Sequence, residues 1–156
     1  MPIVYLAMTS RPLVKMLGRQ ISCLTFATAL LAMLGAQTSR SVWDGVYAEE
    51  QAKRGEVLYA KACASCHGVD LAGGEQAPPL AGAAFLANWN SLTAGDLFER
   101  MRQTMPQDKP GSLSRPQNAD VLAYMFQANR FPAGTTELDR QTEVLKQIRI
   151  EAEKPN

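Results

Sequence analysis

Hydrophobic and polar positions change their rhythm several times along this chain. Ile21 to Ala36 (ISCLTFATALLAMLGA) runs without a charge. From Glu49 a period appears: Gly55, Leu58, Tyr59 and Ala62 fall at i, i+3, i+4 and i+7, one stripe of a helix. Residues 68–92 (GVDLAGGEQAPPLAGAAFLANWNSL) lose it again and, rich in Gly, Pro and Ala, read as a long loop. Leu97, Phe98 and Met101 then mark a short helix that Thr93 and Asp96 can cap and Pro106 stops. After a second loop over residues 104–113, Ser114 and Gln117 form a capping-box pattern. They open a helix whose inner face takes Val121, Leu122, Met125 and Ala128 and which ends near Asn129. Thr135 to Asn156 reads as one more helix, with Leu138, Leu145 and Ile148 at helical spacing among dense charge, adding little to the core. Nothing shows the alternation of a strand, so the fold class is all-α, with three main helices, two ordered loops and an extra C-terminal helix.

The N-terminal stretch differs in kind. Arg11, Lys15 and Arg19 precede the apolar run without an acid, and Gly35 and Ala36 close it with small residues. That is the pattern of a signal peptide over residues 1–36, with an uncleaved anchor as the alternative because Leu34 fits poorly before a cut; Met1 and Met16 both serve as starts. Cys23 lies inside the apolar run and reads as filler. Residues 37–48 read as a linker, 49–132 as the domain and 133–156 as a charged tail. Beyond residue 36, 13 basic residues face 15 acidic ones, leaving a net charge near −2, so the basic patch that nucleic-acid binding requires is missing. Contact with a membrane is expected only if the first segment stays attached.

The candidate chemistry sits in "KACASCHG", residues 61–68. Cys63 and Cys66, three apart on a helical turn, can bond two carbons on one porphyrin edge. His67 then comes under the ring centre, where an imidazole nitrogen reaches the iron; this is the c-type haem pattern. A zinc site competes, but the chain holds one His and no Cys beyond this pair after residue 36. A thioredoxin-like redox pair lacks its βαβ context. A bare disulfide would close too short a loop to constrain much. A loop of about 25 residues is unusual in a compact domain unless a large buried ligand orders it. With a single histidine, bis-histidine ligation is impossible within one chain. Met105, in a loop directly before Pro106, is the candidate sixth ligand, ahead of Met101 or an open position, while Met125 reads as packing.

"RGEVLYAKACASCHG", "APPLAG", "LTAGDLFERMRQTMP" and "NADVLAYM", in that order over residues 47–132, resemble the class I c-type cytochromes, most nearly the small bacterial ones associated with periplasmic dehydrogenases. The resemblance implies a cytochrome c fold around one haem c held through Cys63 and Cys66, with iron ligated by His67 and Met105. It also implies that the carbonyl of Pro78, or of neighbouring Pro79, orients the histidine, that Leu80, Phe85, Leu97 and Phe98 line the haem, and that Trp89 and Asn90 lie near a propionate. Tyr124 is expected to pack at Gly55, with Tyr59 alongside. The implied function is a periplasmic one-electron carrier, with no catalysis of its own, working between a dehydrogenase donor and an oxidase or cytochrome acceptor. The alternative is the cytochrome subunit of a quinoprotein-type dehydrogenase, suggested by the aromatic "SVWDGVY" and the charged tail. An open-site peroxidase or sensor is a third reading. Lys61, Lys109 and Arg115 are candidate docking charges.

Overall fold

The computed structural model describes residues 39–155, so the segment read as a signal peptide lies outside the described residues. Two long helices make the frame: α1 over Glu49–Ala62 and α5 over Arg115–Ala128. Glu49 and Glu50 place negative charge at the start of α1, where Ala48 offers no side-chain cap. The capping box of Ser114 and Gln117 starts α5, with Pro116 tolerated in its first turn. The two helices cross at Gly55, where an added Cβ would lie 1.9 Å from the Asp120 carbonyl oxygen and 3.0 Å from Tyr124 Cβ. Only glycine allows this approach. Tyr59, 2 % exposed, packs its ring 5.3 Å from that of Tyr124 beside the crossing, as the resemblance implies.

Between these helices lie a single turn α2 (Ala64–His67), then α3 (Ala83–Trp89) and α4 (Ala94–Thr104). The helix α3 occupies ground expected to be loop. Two turns are too few to display a period, and burial of Phe85 holds them. Thr93 and Asp96 cap α4 reciprocally, as their spacing predicts.

The tail departs most from expectation. Its only helix is the turn α6 (Thr142–Leu145), followed by β2 (Ile148–Arg149), which pairs in parallel with β1 (Arg40–Ser41). Ile148 and Ile150 are both buried while Arg149 between them is exposed, a period of two that overrides the longer helical spacing. Far from adding little, Leu138, Leu145, Ile148 and Ile150 are all core residues. The tail is a strap. Gln51, 2 % exposed, holds it through both amide atoms, accepting from the Leu138 N–H at 2.6 Å and donating to the Leu138 carbonyl at 3.0 Å.

The described part of the segment read as a linker, residues 39–48, is not loose either: Val42, Val46 and Tyr47 are buried. The Tyr47 hydroxyl donates to the Phe131 carbonyl at 2.8 Å, and Trp43 stacks edge-on against Phe131 while its indole N–H reaches the Glu151 carbonyl at 3.0 Å. The aromatic segment and the tail therefore spend themselves on this chain's own core. Among the described residues no helix is long and apolar enough to cross a membrane.

Candidate haem site

Helix α1 ends at Cys63, whose backbone (φ −127°, ψ −36°) breaks the helix while its N–H still bonds the Tyr59 carbonyl at 2.9 Å. One further turn brings Cys66 and His67 round, and Gly68 closes it at φ +79°, in the left-handed region that favours glycine. Both cysteines are free thiols, Cys63 half-buried and Cys66 exposed. Burial first, and the neighbouring Cys66 second, push the Cys63 thiol up to about 11, so it stays protonated at neutral pH.

His67 is 7 % exposed, and its Nδ1 donates to the Pro78 carbonyl at 2.8 Å. That bond fixes the ring angle and the tautomer, leaving Nε2 as the nitrogen with a free lone pair. The Pro78 loop is brought there by backbone. The carbonyl of Leu71 accepts from Leu80 N–H at 2.8 Å and Ala81 N–H at 3.3 Å, and the His67 carbonyl accepts from Gly73 N–H at 2.9 Å. At Gly73 (φ +80°) a Cβ would meet Pro79 N at 2.7 Å, so a side chain is excluded. Asn129 then ties the loop to α5: its amide donates to the carbonyls of Leu80 (3.0 Å) and Met125 (2.8 Å), and its oxygen accepts from Gly82 N–H at 3.0 Å.

Cys63, Cys66 and His67 open on a cavity of about 980 Å³ that Met105 also lines. This is at the upper end of the roughly 300–1,000 Å³ typical of sites for bulky organic ligands. Leu80, Leu97, Trp89 and Val121 give it a mostly apolar wall. Two free thiols, an oriented imidazole and a thioether around one apolar space are the donor set that a covalently held haem needs. No group of three or more His, Cys, Asp and Glu fit to hold a metal ion occurs among the described residues, which leaves a zinc site without its ligands.

Several expected contacts are placed differently. Phe85 and Phe98 are wholly buried and do not line the cavity: Phe85 packs with its ring 6.3 Å from that of Trp89, and Phe98 lies beneath the Arg115 guanidinium. Asn90 points elsewhere, its oxygen accepting from the Ala152 N–H of the strap at 3.0 Å; Asn88 lines the cavity instead. Arg115 is not a free docking charge: it lies 5.1 Å over the Phe98 ring and donates to the Arg140 carbonyl and the Thr142 hydroxyl. Lys61 and Lys109 do stand at the cavity, together with Arg100, which sequence reasoning passed over although it is one turn from Leu97 on α4. Asn129 was also passed over, read only as a helix end. All three methionines beyond residue 36 line the cavity; Met125 is buried in α5 and Met101 lies within α4, while Met105 stands where the chain leaves α4 with extended backbone (φ −122°, ψ 153°).

A family model described as cytochrome C oxidase, cbb3-type, subunit III matches residues 50–125. One chain of the crystal structure of the sulfane dehydrogenase SoxCD from Paracoccus pantotrophus is similar at 21 % identity and a TM-score of 0.44, the match covering 69 % of this chain and 61 % of that one. The present chain thus matches less than two thirds of that neighbour's length. No curated protein matches.

Proposed function

On the premise that residues 50–125 are a c-type cytochrome domain, that of an electron-transfer protein with covalently bound haem c, we propose that the haem is held by Cys63 and Cys66 and that His67 and Met105 ligate its iron. The observation carrying this reading is the shared cavity of about 980 Å³, onto which all four side chains open, with the imidazole already oriented by Pro78. The haem supplies one-electron exchange between ferrous and ferric iron. The protein's own residues do the rest: the thiols fix the edge of the ring, Pro78 holds the imidazole in one tautomer, and the apolar wall keeps water away. With His67 and Met105 both given to the iron, no open position would remain for a substrate, and the chain would serve as a carrier between redox partners.

Export to the periplasm goes with the pattern of residues 1–36. Lys61, Lys109 and Arg100 around the cavity suit an acidic face on the donor or acceptor. The test is spectroscopic. Denaturing extraction should leave the haem on the polypeptide, and the native ferric protein should show the weak far-red band of iron-bound sulfur. A covalent haem without that band would favour an open-site peroxidase or sensor instead.

A further inference from the structure

A capping box keeps α4 helical but does not determine where the helix lies against the cavity. The strap does. At Gly95 the helix touches α6 so closely that a Cβ would meet the Lys146 backbone nitrogen at 2.7 Å and the Thr142 carbonyl oxygen at 2.9 Å. One turn further on, Glu99 accepts from the Thr142 hydroxyl, from Arg102 at 2.7 Å and from Gln103 at 3.0 Å. Thr142 in turn accepts from Arg115 Nη2 at 2.7 Å, and Arg115 Nη1 lies 3.7 Å from the Glu99 carboxylate. Before α4, the strap pairs with residues 91 and 92: Ser91 N–H donates to the Ile150 carbonyl and Ile150 N–H to the Leu92 carbonyl, both at 2.8 Å. One joint therefore fastens α4, the first residue of α5 and the strap together.

Met105 is the residue at which α4 ends, roughly 9 Å along the helix axis from Glu99 at 1.5 Å per residue. The loop after it is nearly all exposed and held by a few backbone bonds. Nothing in that loop compares with the grip on α4. We propose that the Glu99–Thr142–Arg115 joint is the positioning device for the Met105 thioether: the strap sets the place of α4, and so how firmly the sulfur is held at its site. This rests on Met105 being the sixth ligand. It makes Glu99 and Thr142 positioning residues, acting from outside the cavity.

The joint is tested by adding imidazole to the ferric protein and following loss of the far-red band, which reports exchange of the sulfur for the added base. Glu99→Gln and Thr142→Val should lose the band at imidazole concentrations lower by about tenfold, the effect expected when a charge-assisted hydrogen bond is removed from a helix that must hold its place. Covalent haem content should be unchanged. Arg54→Gln is the control, because Arg54 makes a separate polar joint with the tail, to Glu137 as well as to Asp120, away from α4. It should leave the imidazole midpoint where it is in the native protein. The proposal is overturned if Glu99→Gln and Thr142→Val titrate like the native protein, or if Arg54→Gln shifts the midpoint as far as they do. Met105→Ala separates the premise: a far-red band that survives this substitution removes Met105 as ligand, whatever the joint variants do.

Discussion

The two walls that meet at the cavity are built differently. Around His67 the polar atoms are held mostly by near neighbours: the imidazole by the Pro78 carbonyl, the His67 carbonyl by Gly73, and the Gly68 carbonyl by the Tyr59 hydroxyl at 2.6 Å, with Asn129 adding one distant tie to the loop. Around Met105 the backbone leaves α4 and runs through an exposed loop, and what fixes the wall comes from a segment some forty residues further on. A wall made mostly of short-range turns lets go only by local unfolding. A wall made by a distant clamp can yield without the fold yielding, which is what an exchangeable member of the proposed ligand pair would require.

The comparison breaks most sharply at the thiols. Cys63→Ser with Cys66→Ser should abolish retention of haem on the denatured polypeptide, read by haem stain or mass. Next comes Gly55→Ala, which strikes the frame that both walls share. A Cβ 1.9 Å from a carbonyl oxygen must push α1 off α5, and the denaturant midpoint should fall by the equivalent of about 3 kcal/mol. Met105→Ala should touch one wall only: haem stays covalent, the far-red band disappears, and the reduction potential drops by on the order of 0.1 V within the ≈0.8 V that axial ligands span.

A smaller effect is expected from pH. Arg102 foremost, and then Thr142, hold the Glu99 carboxyl down at about 2, against an ordinary value of 4.5. Between those values the folded chain binds fewer protons at this site than the unfolded one. The stability Glu99 contributes is therefore complete above pH 4.5 and drains away as pH falls toward 2. Acid titrations of unfolding should be less steep in Glu99→Gln over that window. Smallest of all should be Pro78→Ala. Any residue supplies the carbonyl His67 needs, so only loop stiffness is lost, about 0.5–1 kcal/mol in denaturation and no change in the far-red band.

Much of the His67 wall was legible in the chain because its signals are short-range. A cysteine pair, an adjacent histidine, a glycine closing a turn and a proline loop all sit within residues 63–79, and capping pairs such as Thr93 with Asp96 announce helix starts by spacing alone. The frame was legible too, through the 3.6-residue stripes of α1 and α5. What stayed hidden depends on distant partners. The fate of Arg115 was set by Thr142 and Phe98, and that of Asn90 by Ala152. The tail misled because Leu138, Leu145 and Ile148 satisfy a helical period, while the paired burial of Ile148 and Ile150 shows only once β1 is beside them.

The pairing of the first described segment with the last has a temporal side. Trp43 and its partner Glu151 are 108 residues apart, and Glu99 and Thr142 of the clamp on α4 are 43 apart, so both ties close long loops. The bond that orients His67 spans only 11 residues, to Pro78, and so short a loop closes faster. On loop-closure grounds the turn that carries the two thiols is expected to order before the strap closes behind α4.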